Sequence, residues 1–465
     1  MSLPLEPVLA HLDASLNESI ERWKELLRIP SIGTDPAYQG DVRRAADWLV
    51  RELRALGFDA RAQDTAGHPV VLGHHPGPGG ADPPRILYYG HYDVQPPDPL
   101  ELWDSPPFEP TILEGPHGPR MVARGAVDDK GQLMTWLEAL RAWHGVHGTL
   151  PVAISVMVEG EEESGSPSLD AFLESHRAEL RADVCVVSDT NMWNIDTPAL
   201  ATLLRGLVYT EITLSGPAHD LHSGLYGGAV PNPLNVLCRM LGDLLDTDGR
   251  VQVPGFYDDV EELSEDERRR LAELPFDEAA FLGGVGLTRP YGEAGRSTLE
   301  RIWTRPTCDI NGMWGGYTGP GSKTVIPATA SAKVSFRLVP EQNPGKIIAG
   351  LRAFLKERMP ADCRFELVDH ASAPALRIPA DSPYVQAARR ALERVFPKPP
   401  VLIGMGGSIP AVASIKRLLG MDALLLGFGL ADDRVHSPNE KFEIRCFENG
   451  IRAHATLLAE LAALG

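Results

Sequence analysis

Candidate metal ligands recur at the ends of predicted strands. Each is a histidine or a carboxylate with glycine nearby, and together they are His91 with Asp93, Asp128, Glu162 or Glu163, Asp189, and His436. Ligands bind at the carboxyl ends of strands in open α/β sheets, so these side chains are expected to lie close together. Imidazole and carboxylate together suit Zn²⁺, Mn²⁺ or Co²⁺ better than Ca²⁺ or Mg²⁺. Two histidines with several carboxylates can hold two such ions if one carboxylate bridges them, which is an arrangement suited to hydrolysis.

The densest group of carboxylates follows an apolar run at residues 152–158, which predicts a buried strand. Four glutamates lie directly after it around one glycine, at positions 159, 161, 162 and 163. Carboxylates this close repel one another and resist burial unless a cation meets them. A solvated acidic turn would explain the same residues, and this stretch alone does not separate the two interpretations.

Each of the other candidates also has an ordinary structural explanation. An isolated His-x-Asp triplet is common, and Asp128 could open a helix with acidic residues in its first turn. Asp189 could belong to a turn, and His436 could be a loop histidine. The hypothesis of a metal site therefore depends on their joint occurrence at strand ends. If His91 is a ligand, Asp93 is expected to accept its other ring N–H and fix the tautomer.

The elements that would position these ligands alternate between strand and helix. Predicted strands lie at 69–72, 85–89, 152–158 and 184–187, with helices at 15–27 and 41–56 and another ending near 143. The same character returns after residue 379, with a helix at 382–396, a strand at 424–428 and a long helix at 442–464. This alternation predicts an α/β domain with a mostly parallel sheet and helices on both faces.

The middle of the chain has a different pattern. Strands with one polar face at 208–214, 333–339 and 364–368, and helices at 232–245 and 344–356, predict an α+β sandwich whose sheet is covered on one face. Residues 257–278 are strongly acidic and are interpreted mainly as a solvated surface insertion. We therefore predict a catalytic metal-binding domain in two segments, 1–206 and 380–465, with a smaller domain inserted at 207–379.

Composition excludes several classes of function. The formal net charge of −19 disfavours binding to a nucleic acid backbone, which depends on lysine and arginine. The five cysteines include no Cys-x-x-Cys pair, so a disulfide framework or cysteine-zinc site is not expected and a cytoplasmic location fits. The N-terminus lacks the features of a signal peptide, and no apolar run approaches membrane-spanning length, so no membrane association is expected.

The order of the motifs resembles a known family of dinuclear-metal peptidases. That family includes carnosinase-like and cytosolic nonspecific dipeptidases, aminoacylase, acetylornithine deacetylase and glutamate carboxypeptidase. The matching motifs are Tyr89-Gly90-His91-Tyr92-Asp93-Val94-Gln95-Pro96, Arg124-Gly125-Ala126-Val127-Asp128-Asp129-Lys130-Gly131, Glu162-Glu163-Ser164-Gly165-Ser166, Ser188-Asp189, His222-Ser223-Gly224-Leu225-Tyr226-Gly227-Gly228, Gly406-Gly407-Ser408-Ile409-Pro410 and His436-Ser437-Pro438-Asn439-Glu440. They span nearly the whole chain and are most similar to the dipeptidase branch. The resemblance implies a zinc-exopeptidase-like catalytic fold with a lid and dimerisation domain at 207–379.

The resemblance also implies roles for the candidate residues. One metal would be held by His91, Asp128 and Asp189, and the other by Asp128, Glu163 and His436. Zn²⁺ is the expected ion, with Mn²⁺ or Co²⁺ as alternatives, and a cis peptide bond is implied between Asp128 and Asp129.

Catalytic and substrate-binding roles follow from the same motifs. Glu162 matches the general base that takes a proton from water and passes it to the departing amine. His222 would stabilise the oxyanion from the other subunit of a homodimer. The resemblance implies that Arg337 clamps the free carboxylate of the substrate and that Thr324 and Ser408 contact the substrate.

These observations predict a two-metal amide hydrolase that cleaves dipeptides or short peptides. An N-acyl amino acid deacylase remains the alternative, because both activities use the same ligands. A non-catalytic protein that retains the fold is disfavoured by the complete ligand set and by Glu162.

Overall fold

The computed structural model of the chain describes residues 3–79, 84–407 and 409–465. By their internal contacts, the residues of the chain divide into two units. Unit 1 comprises Met1–Thr202, Ile378–Ile403 and Pro410–Gly465, and unit 2 comprises Leu203–Arg377 and Gly404–Ile409. The chain therefore builds most of unit 1, passes through unit 2 and then returns to unit 1, apart from the short segment Gly404–Ile409.

The first segment of unit 1 alternates helices with strands. Its helices are α1 (Glu6–Leu27), α2 (Gln39–Ala55), α3 (Lys130–His147) and α4 (Leu169–Ser175). Its strands are β1 (Asp59–Gln63), β2 (Val70–His75), β3 (Arg85–His91), β4 (Thr111–Gly115), β5 (Gly118–Val122), β6 (Ala153–Glu159), β7 (Val184–Val187) and β8 (Ala199–Leu204), the last of which leads into unit 2. Helix α1 begins earlier than predicted, with a proline in its first turn, where the missing N–H has no intrahelical partner to lose.

Unit 2 combines antiparallel strands with helices. Its helices are α5 (Ser223–Tyr226), α6 (Pro233–Gly242), α7 (Glu265–Glu273), α8 (Glu278–Gly283), α9 (Thr298–Trp303) and α10 (Pro344–Arg358). Its strands are β9 (Gly206–Ser215), β10 (Leu221–His222), β11 (Thr307–Gly315), β12 (Val325–Ile326), β13 (Thr329–Leu338), β14 (Arg364–Ala373) and β15 (Leu376–Arg377).

The main sheet of unit 2 has the order β11-β13-β9-β14 and is antiparallel throughout. Burial alternates along β9, and its buried residues share one hydrophobic core with α6 and α10. Both helices begin at a proline that follows a capping asparagine: Asn232 accepts the N–H of Leu234, and Asn343 accepts that of Lys346. An asparagine cap and a proline at the first helical position together favour helix initiation at these points.

After unit 2 the chain forms the remaining elements. The helices are α11 (Pro383–Val395), α12 (Pro410–Ser414) and α13 (Ile444–Ala462), and the strands are β16 (Val401–Met405), β17 (Ala423–Leu425) and β18 (Lys441–Glu443). Strand β17 fills the space between β7 and β8, so the strands of the unit 1 sheet have the order β1-β2-β6-β3-β7-β17-β8.

The central strands β6, β3, β7 and β17 run parallel, whereas β1, β2 and β8 pair antiparallel. A mainly parallel sheet with helices confirms the predicted fold class. A second sheet, with the order β18-β5-β4, joins strands from both segments of unit 1.

Buried aromatic rings hold the helices of unit 1 to its sheet and to one another. Trp23 of α1 stacks on Phe447 of α13 with ring centroids 4.4 Å apart, and Trp136 of α3 stacks on Tyr88 of β3 at 4.5 Å. These contacts fix the strand whose last residue is His91. None of the helices in the described ranges has both the length and the apolar character needed to cross a bilayer.

Candidate metal centre

Adjacent parallel strands bring several predicted ligands to one edge of the unit 1 sheet. Strand β3 ends at His91, and β7 ends at Val187, two residues before Asp189. Strand β6 ends at Glu159 and is followed by a 3-10 turn, Glu162–Ser164. Because β6, β3 and β7 are neighbours and run parallel, their carboxyl ends lie side by side.

Asp128 lies between the two predicted histidine ligands. Its Oδ1 is 3.2 Å from His91 Nε2, and its Oδ2 is 3.0 Å from His436 Nε2. His91 Nε2 also lies 4.0 Å from Asp189 Oδ2, and His436 Nε2 lies 3.1 Å from Glu163 Oε2. The five predicted ligands therefore form two groups of three that share Asp128, and the donor atoms within each group lie within 4.8 Å of one another.

The donor atoms of both groups suit divalent cations. The buried Nε2 atom of His91 makes no hydrogen bond to any residue that the structure describes, although carboxylate oxygens surround it. Buried polar atoms are nearly always paired, so this nitrogen lacks a partner that a cation would supply. The mixture of imidazole and carboxylate is typical of hydrolytic zinc, manganese or cobalt sites. The residues present therefore fit one metal ion in each group.

The surrounding carboxylates raise the pKa of both histidines. Hydrogen bonds to Asp128 and Glu163 raise the pKa of His436 to about 10. Burial alone would lower the pKa of His91, but the adjacent carboxylates of Asp128 and Asp93 raise it well above its ordinary value. The same two histidines lower the pKa of Asp128 against the opposing effect of burial. The centre thus carries an excess of negative charge that bound cations would offset.

Glu162 lies on the same turn as Glu163. Burial raises the pKa of Glu162 to about 8, and the negative charges of Asp189 and Glu163 contribute while His91 opposes them. Burial and Asp128 raise the pKa of Asp189 to about 7. A carboxylate whose pKa lies near neutrality can exchange protons at physiological pH, which suits a general base.

The buried carboxylate of Asp93 fixes the turn that carries Glu162 and Glu163. Its Oδ1 accepts the N–H of Glu162 at 3.3 Å, and its Oδ2 accepts the N–H of Glu163 at 3.0 Å. His91 Nδ1 lies 3.1 Å from the backbone oxygen of Asp93 and 3.4 Å from Oδ1. Asp93 therefore contacts the imidazole mainly through its carbonyl, and its side chain has a task that the sequence does not reveal.

The other two glutamates of the run support the same turn. Glu159 is buried and accepts hydrogen bonds from the hydroxyl of Tyr89 and, at 2.9 Å, from Ser166 Oγ. Glu161 is also buried and accepts the N–H of His68 at 2.9 Å. The run is therefore not a solvated acidic turn, because two of its carboxylates hold the loop and two face the ligands.

Further side chains contact the ligands without having been assigned a role from the sequence. Gln95 Nε2 donates to Glu163 Oε2 at 2.8 Å, and Glu440 accepts the N–H of Asp128 at 3.1 Å. Each lies four positions after a predicted histidine ligand, within one of the motifs that resemble the family. Membership of that motif was the signal in the sequence that could have pointed to these two residues. The peptide bond between Asp128 and Asp129 is cis, as the resemblance implies.

Three residues predicted to act on the substrate belong to unit 2: His222, Thr324 and Arg337. His222 is exposed and ends β10, whose pairing with β12 brings it beside Thr324. The N–H of Ser223 donates to the carbonyl of Thr324 at 2.9 Å. Arg337 lies on β13, and burial lowers its pKa. Ser408 lies outside the described residues.

Comparison with known proteins identifies the family of the chain. The Cys-Gly metallodipeptidase of Candida albicans is 32% identical over 97% of this chain and 96% of its own length. The human Beta-Ala-His dipeptidase is 29% identical over 99% of this chain and 93% of its own length. The solved structure of an M20 family metallo-carboxypeptidase from Sulfolobus solfataricus has 31% identity and a TM-score of 0.85, and it covers 96% of this chain and 99% of its own. Because residues 87–460 also match the family model, the chain belongs to peptidase family M20/M25/M40.

Proposed function

We propose that this peptidase hydrolyses dipeptides in a metal-dependent reaction. The observation that carries the proposal is the pair of ligand groups that share Asp128, with Glu162 on the turn beside Glu163. Two relatives that match almost the whole chain are named for Cys-Gly and Beta-Ala-His dipeptides. Their names favour a peptidase over the N-acyl amino acid deacylase, which the ligand motifs alone leave open.

Two divalent metal ions are proposed as cofactors. His91, Asp128 and Asp189 would hold one, and Asp128, Glu163 and His436 would hold the other. Zn²⁺ is the proposed native ion, and Mn²⁺ or Co²⁺ suits the same donors. When bound, such ions polarise the scissile carbonyl and lower the pKa of a water molecule.

Glu162 is proposed as the general base. Its carboxylate takes a proton from the attacking water and later returns it to the nitrogen of the departing amine. Asp93 holds Glu162 and Glu163 through their backbone N–H groups, so the base keeps a constant position beside the ligand. Because the carbonyl of Asp93 also contacts His91, one residue orients both a proposed metal ligand and the base.

His222 is proposed to stabilise the oxyanion of the tetrahedral intermediate. The N–H of Gly224 donates to His222 Nδ1 at 3.0 Å, so the proton of the neutral ring lies on Nε2. That tautomer offers one N–H donor, as an oxyanion partner must. We propose that His222 acts across the interface of a homodimer, with the inserted residues 207–379 as the lid and dimerisation domain.

An exposed apolar edge in unit 2 supports the proposed homodimer. Strand β11 lies at one edge of the main sheet, and its residues Ile310, Met313 and Trp314 are 50%, 50% and 45% exposed. An apolar edge strand favours pairing with another chain, because its backbone groups and side chains both gain partners. A second copy of unit 2 would cover this edge.

Arg337 is proposed to bind the free carboxylate of the dipeptide. Burial lowers the pKa of its guanidinium, so the charged form gains from an anion at the same position. Thr324 and Ser408 are proposed as further substrate contacts.

The proposed location is the cytoplasm. All five cysteines are free thiols, and Cys185, Cys308 and Cys446 are buried. A reducing compartment keeps such thiols unpaired.

A substrate panel tests the proposed function. Metal-depleted protein would be reconstituted with Zn²⁺, Mn²⁺ or Co²⁺ and assayed on Cys-Gly, Beta-Ala-His, a tripeptide and N-acetyl amino acids. We expect dipeptide cleavage that depends on added metal. Cleavage of N-acetyl amino acids without cleavage of dipeptides would reject the proposal in favour of the deacylase. Release of the C-terminal residue from the tripeptide would extend the activity toward that of the Sulfolobus relative.

A further inference from the structure

Glu440 is a buried carboxylate whose two oxygens are both occupied by donors from the segment around Asp128. Its Oε2 accepts hydrogen bonds from Arg124 Nη1 at 2.8 Å and from the N–H of Gly125 at 3.0 Å. Its Oε1 accepts the N–H of Val127 at 3.0 Å and the N–H of Asp128 at 3.1 Å. Four donors leave this side chain without a free position for a metal ion. Glu440 therefore contacts the shared ligand through its backbone and is not itself a ligand.

Arg124 fixes the other side of this contact. It is 1% exposed, and its Nη2 donates to the backbone oxygen of Pro96 at 3.1 Å. Its guanidinium also lies over the ring of Trp103, 5.5 Å from the centroid. A buried carboxylate needs a compensating charge and complete hydrogen bonding, and Arg124 with the three N–H groups supplies both to Glu440. The pair thus forms a rigid attachment point beneath Asp128.

Glu440 also ends the loop that carries His436. The N–H of Lys441 donates to the backbone oxygen of Asp433 at 3.0 Å, and its Nζ donates to Asp433 Oδ1 at 2.6 Å, which closes the base of the loop. The side chain of His436 is 53% exposed, and its φ of 60° is a left-handed conformation that a histidine adopts at a cost. His436 therefore depends on the ends of its loop for its position.

We propose that Glu440 is a positioning residue that ties the His436 loop to the backbone of Asp128 and so sets the metal affinity of the centre. The inference rests on the proposed function, because it assumes that Asp128 and His436 bind metal. Residues that hold metal ligands in place commonly influence affinity as strongly as weak ligands do. Loss of the hydrogen bonds between Glu440 and the segment around Asp128 would let Asp128 and His436 move independently. Because both ligand groups contain Asp128, the loss would affect both.

Two substitutions separate the charge of the Glu440 side chain from its length. Glu440→Gln keeps the length of the side chain but turns an amide NH₂ toward groups that are themselves donors. Glu440→Asp keeps the charge but is one methylene too short to reach both Arg124 and Asp128. Glu138→Gln is the matched control, because Glu138 is a buried carboxylate of α3 that accepts hydrogen bonds from Arg22 at 2.9 Å and Ser19 at 2.8 Å.

The measurements are dissociation constants of Zn²⁺ and Mn²⁺ for the metal-depleted proteins, the absorption spectrum of the Co²⁺ forms, and the thermal midpoint without metal. We expect Glu440→Gln and Glu440→Asp to weaken metal binding by about 10- to 100-fold and to change the Co²⁺ spectrum. The control should lower the thermal midpoint while its metal affinity stays within twofold of wild type. If Glu440→Gln does not fold, the metal affinity and Co²⁺ spectrum of Glu440→Asp alone decide the role of Glu440.

Metal affinities within twofold of wild type in the folded Glu440 variants, with an unchanged Co²⁺ spectrum, would overturn the inference. The hydrolytic function is judged separately on the wild-type protein with dipeptides. A wild-type protein that binds metal but cleaves no dipeptide rejects the proposed function and leaves the affinity ratio to decide the role of Glu440.

Discussion

Two groups of acidic side chains in this protein look alike in the sequence and differ in what faces them. In unit 2, arginines face the carboxylates. Arg305 donates to both oxygens of Glu293 at 2.7 Å, and Arg296 lies 2.7 Å from Glu262. The hydrogen bond from Arg296 lowers the pKa of Glu262, so this carboxylate keeps its charge in the folded protein. These contacts make an ion-pair network that is complete within the chain.

In the centre of unit 1, histidines and other carboxylates take the place of the arginines. The pKa of Glu162 is raised to about 8 and that of Asp189 to about 7. The comparison shows that a high density of acidic residues does not by itself indicate a metal site. The identity of the neighbouring groups does, because carboxylates that face guanidinium groups are already neutralised and carboxylates that face one another are not.

The largest effect is expected from Glu162→Gln. The amide is close in shape to the carboxylate but cannot take the proton, so kcat should fall by about 10²- to 10⁴-fold. Bound metal should remain, because Glu162 belongs to neither ligand group. Steady-state kinetics and metal analysis check both parts, and turnover close to wild type would reject Glu162 as the base.

Arg305→Met tests the unit 2 side of the comparison. Removal of one partner from a buried ion pair leaves an uncompensated charge, and about 3 kcal/mol of unfolding free energy should be lost. This is the lower end of the usual range, because Arg250 still lies 2.9 Å from Glu293. Urea denaturation measures the loss. Weakened metal binding in this variant would contradict the inference that the ion-pair network of unit 2 is independent of the metal centre of unit 1.

His222→Ala should lower kcat by about 10²- to 10³-fold through the loss of one oxyanion donor. Metal content should stay at the wild-type value, because His222 is in neither ligand group. Kinetics and metal analysis on the same preparation provide the test. Loss of metal would instead assign His222 to the ligands.

His454 extends the comparison to a buried histidine whose neighbours are hydroxyl groups and aromatic rings instead of charged groups. Its Nδ1 lies 3.1 Å from Thr135 Oγ1 and its Nε2 lies 2.8 Å from Ser188 Oγ, with the rings of Trp136 and Phe428 beside it. Burial lowers its pKa to about 3, whereas the carboxylates raise the pKa of His91 and His436, the two predicted ligands.

The lowered pKa of His454 has a defined effect on stability. The unfolded chain binds a proton at this residue below its ordinary pKa of 6.5, and the folded chain does not bind it until the pH falls to about 3. Folding stability should therefore decrease as the pH drops through that window, by up to about 1.4 kcal/mol for each pH unit. Urea denaturation of wild type and His454→Gln between about pH 4 and about pH 8, which covers most of this window and the region above it, checks the prediction. The prediction would be contradicted if the unfolding free energies of the two proteins changed equally with pH below 6.5.

The sequence predicts the strands of the centre well because β7 is a continuous apolar run and β3 and β6 are nearly so. It does not predict the β18-β5-β4 sheet, whose strands are short, with a glycine at the end of β4 and a glycine and a proline at the start of β5. The acidic stretch 257–278 is largely exposed, but its composition does not reveal that Glu262 pairs with Arg296 and Arg305. Those partners lie more than thirty residues away along the chain, beyond the reach of local patterns.

Contacts over long sequence distances explain what else the sequence leaves open. Each ligand motif could be recognised locally, and the structure brings those ligands together. The role of Glu440 depends on donors more than three hundred positions earlier, and the second role of Asp93 depends on a turn about seventy positions later. A periodic pattern or a short motif carries no information about such pairs.

The position of β17 between β7 and β8 has a consequence for how the protein is made. The group of His91, Asp128 and Asp189 is synthesised within the first segment of unit 1, whereas His436 follows only after unit 2. During synthesis from the N-terminus, β7 and β8 are made before β17, the strand that separates them. Until β17 is made, the edge of each strand that will pair with it lacks that partner. Insertion of β17 closes the sheet, and the loop with His436 follows directly after it. A nascent chain can therefore assemble one ligand group early, and it gains the second only when the sheet is complete.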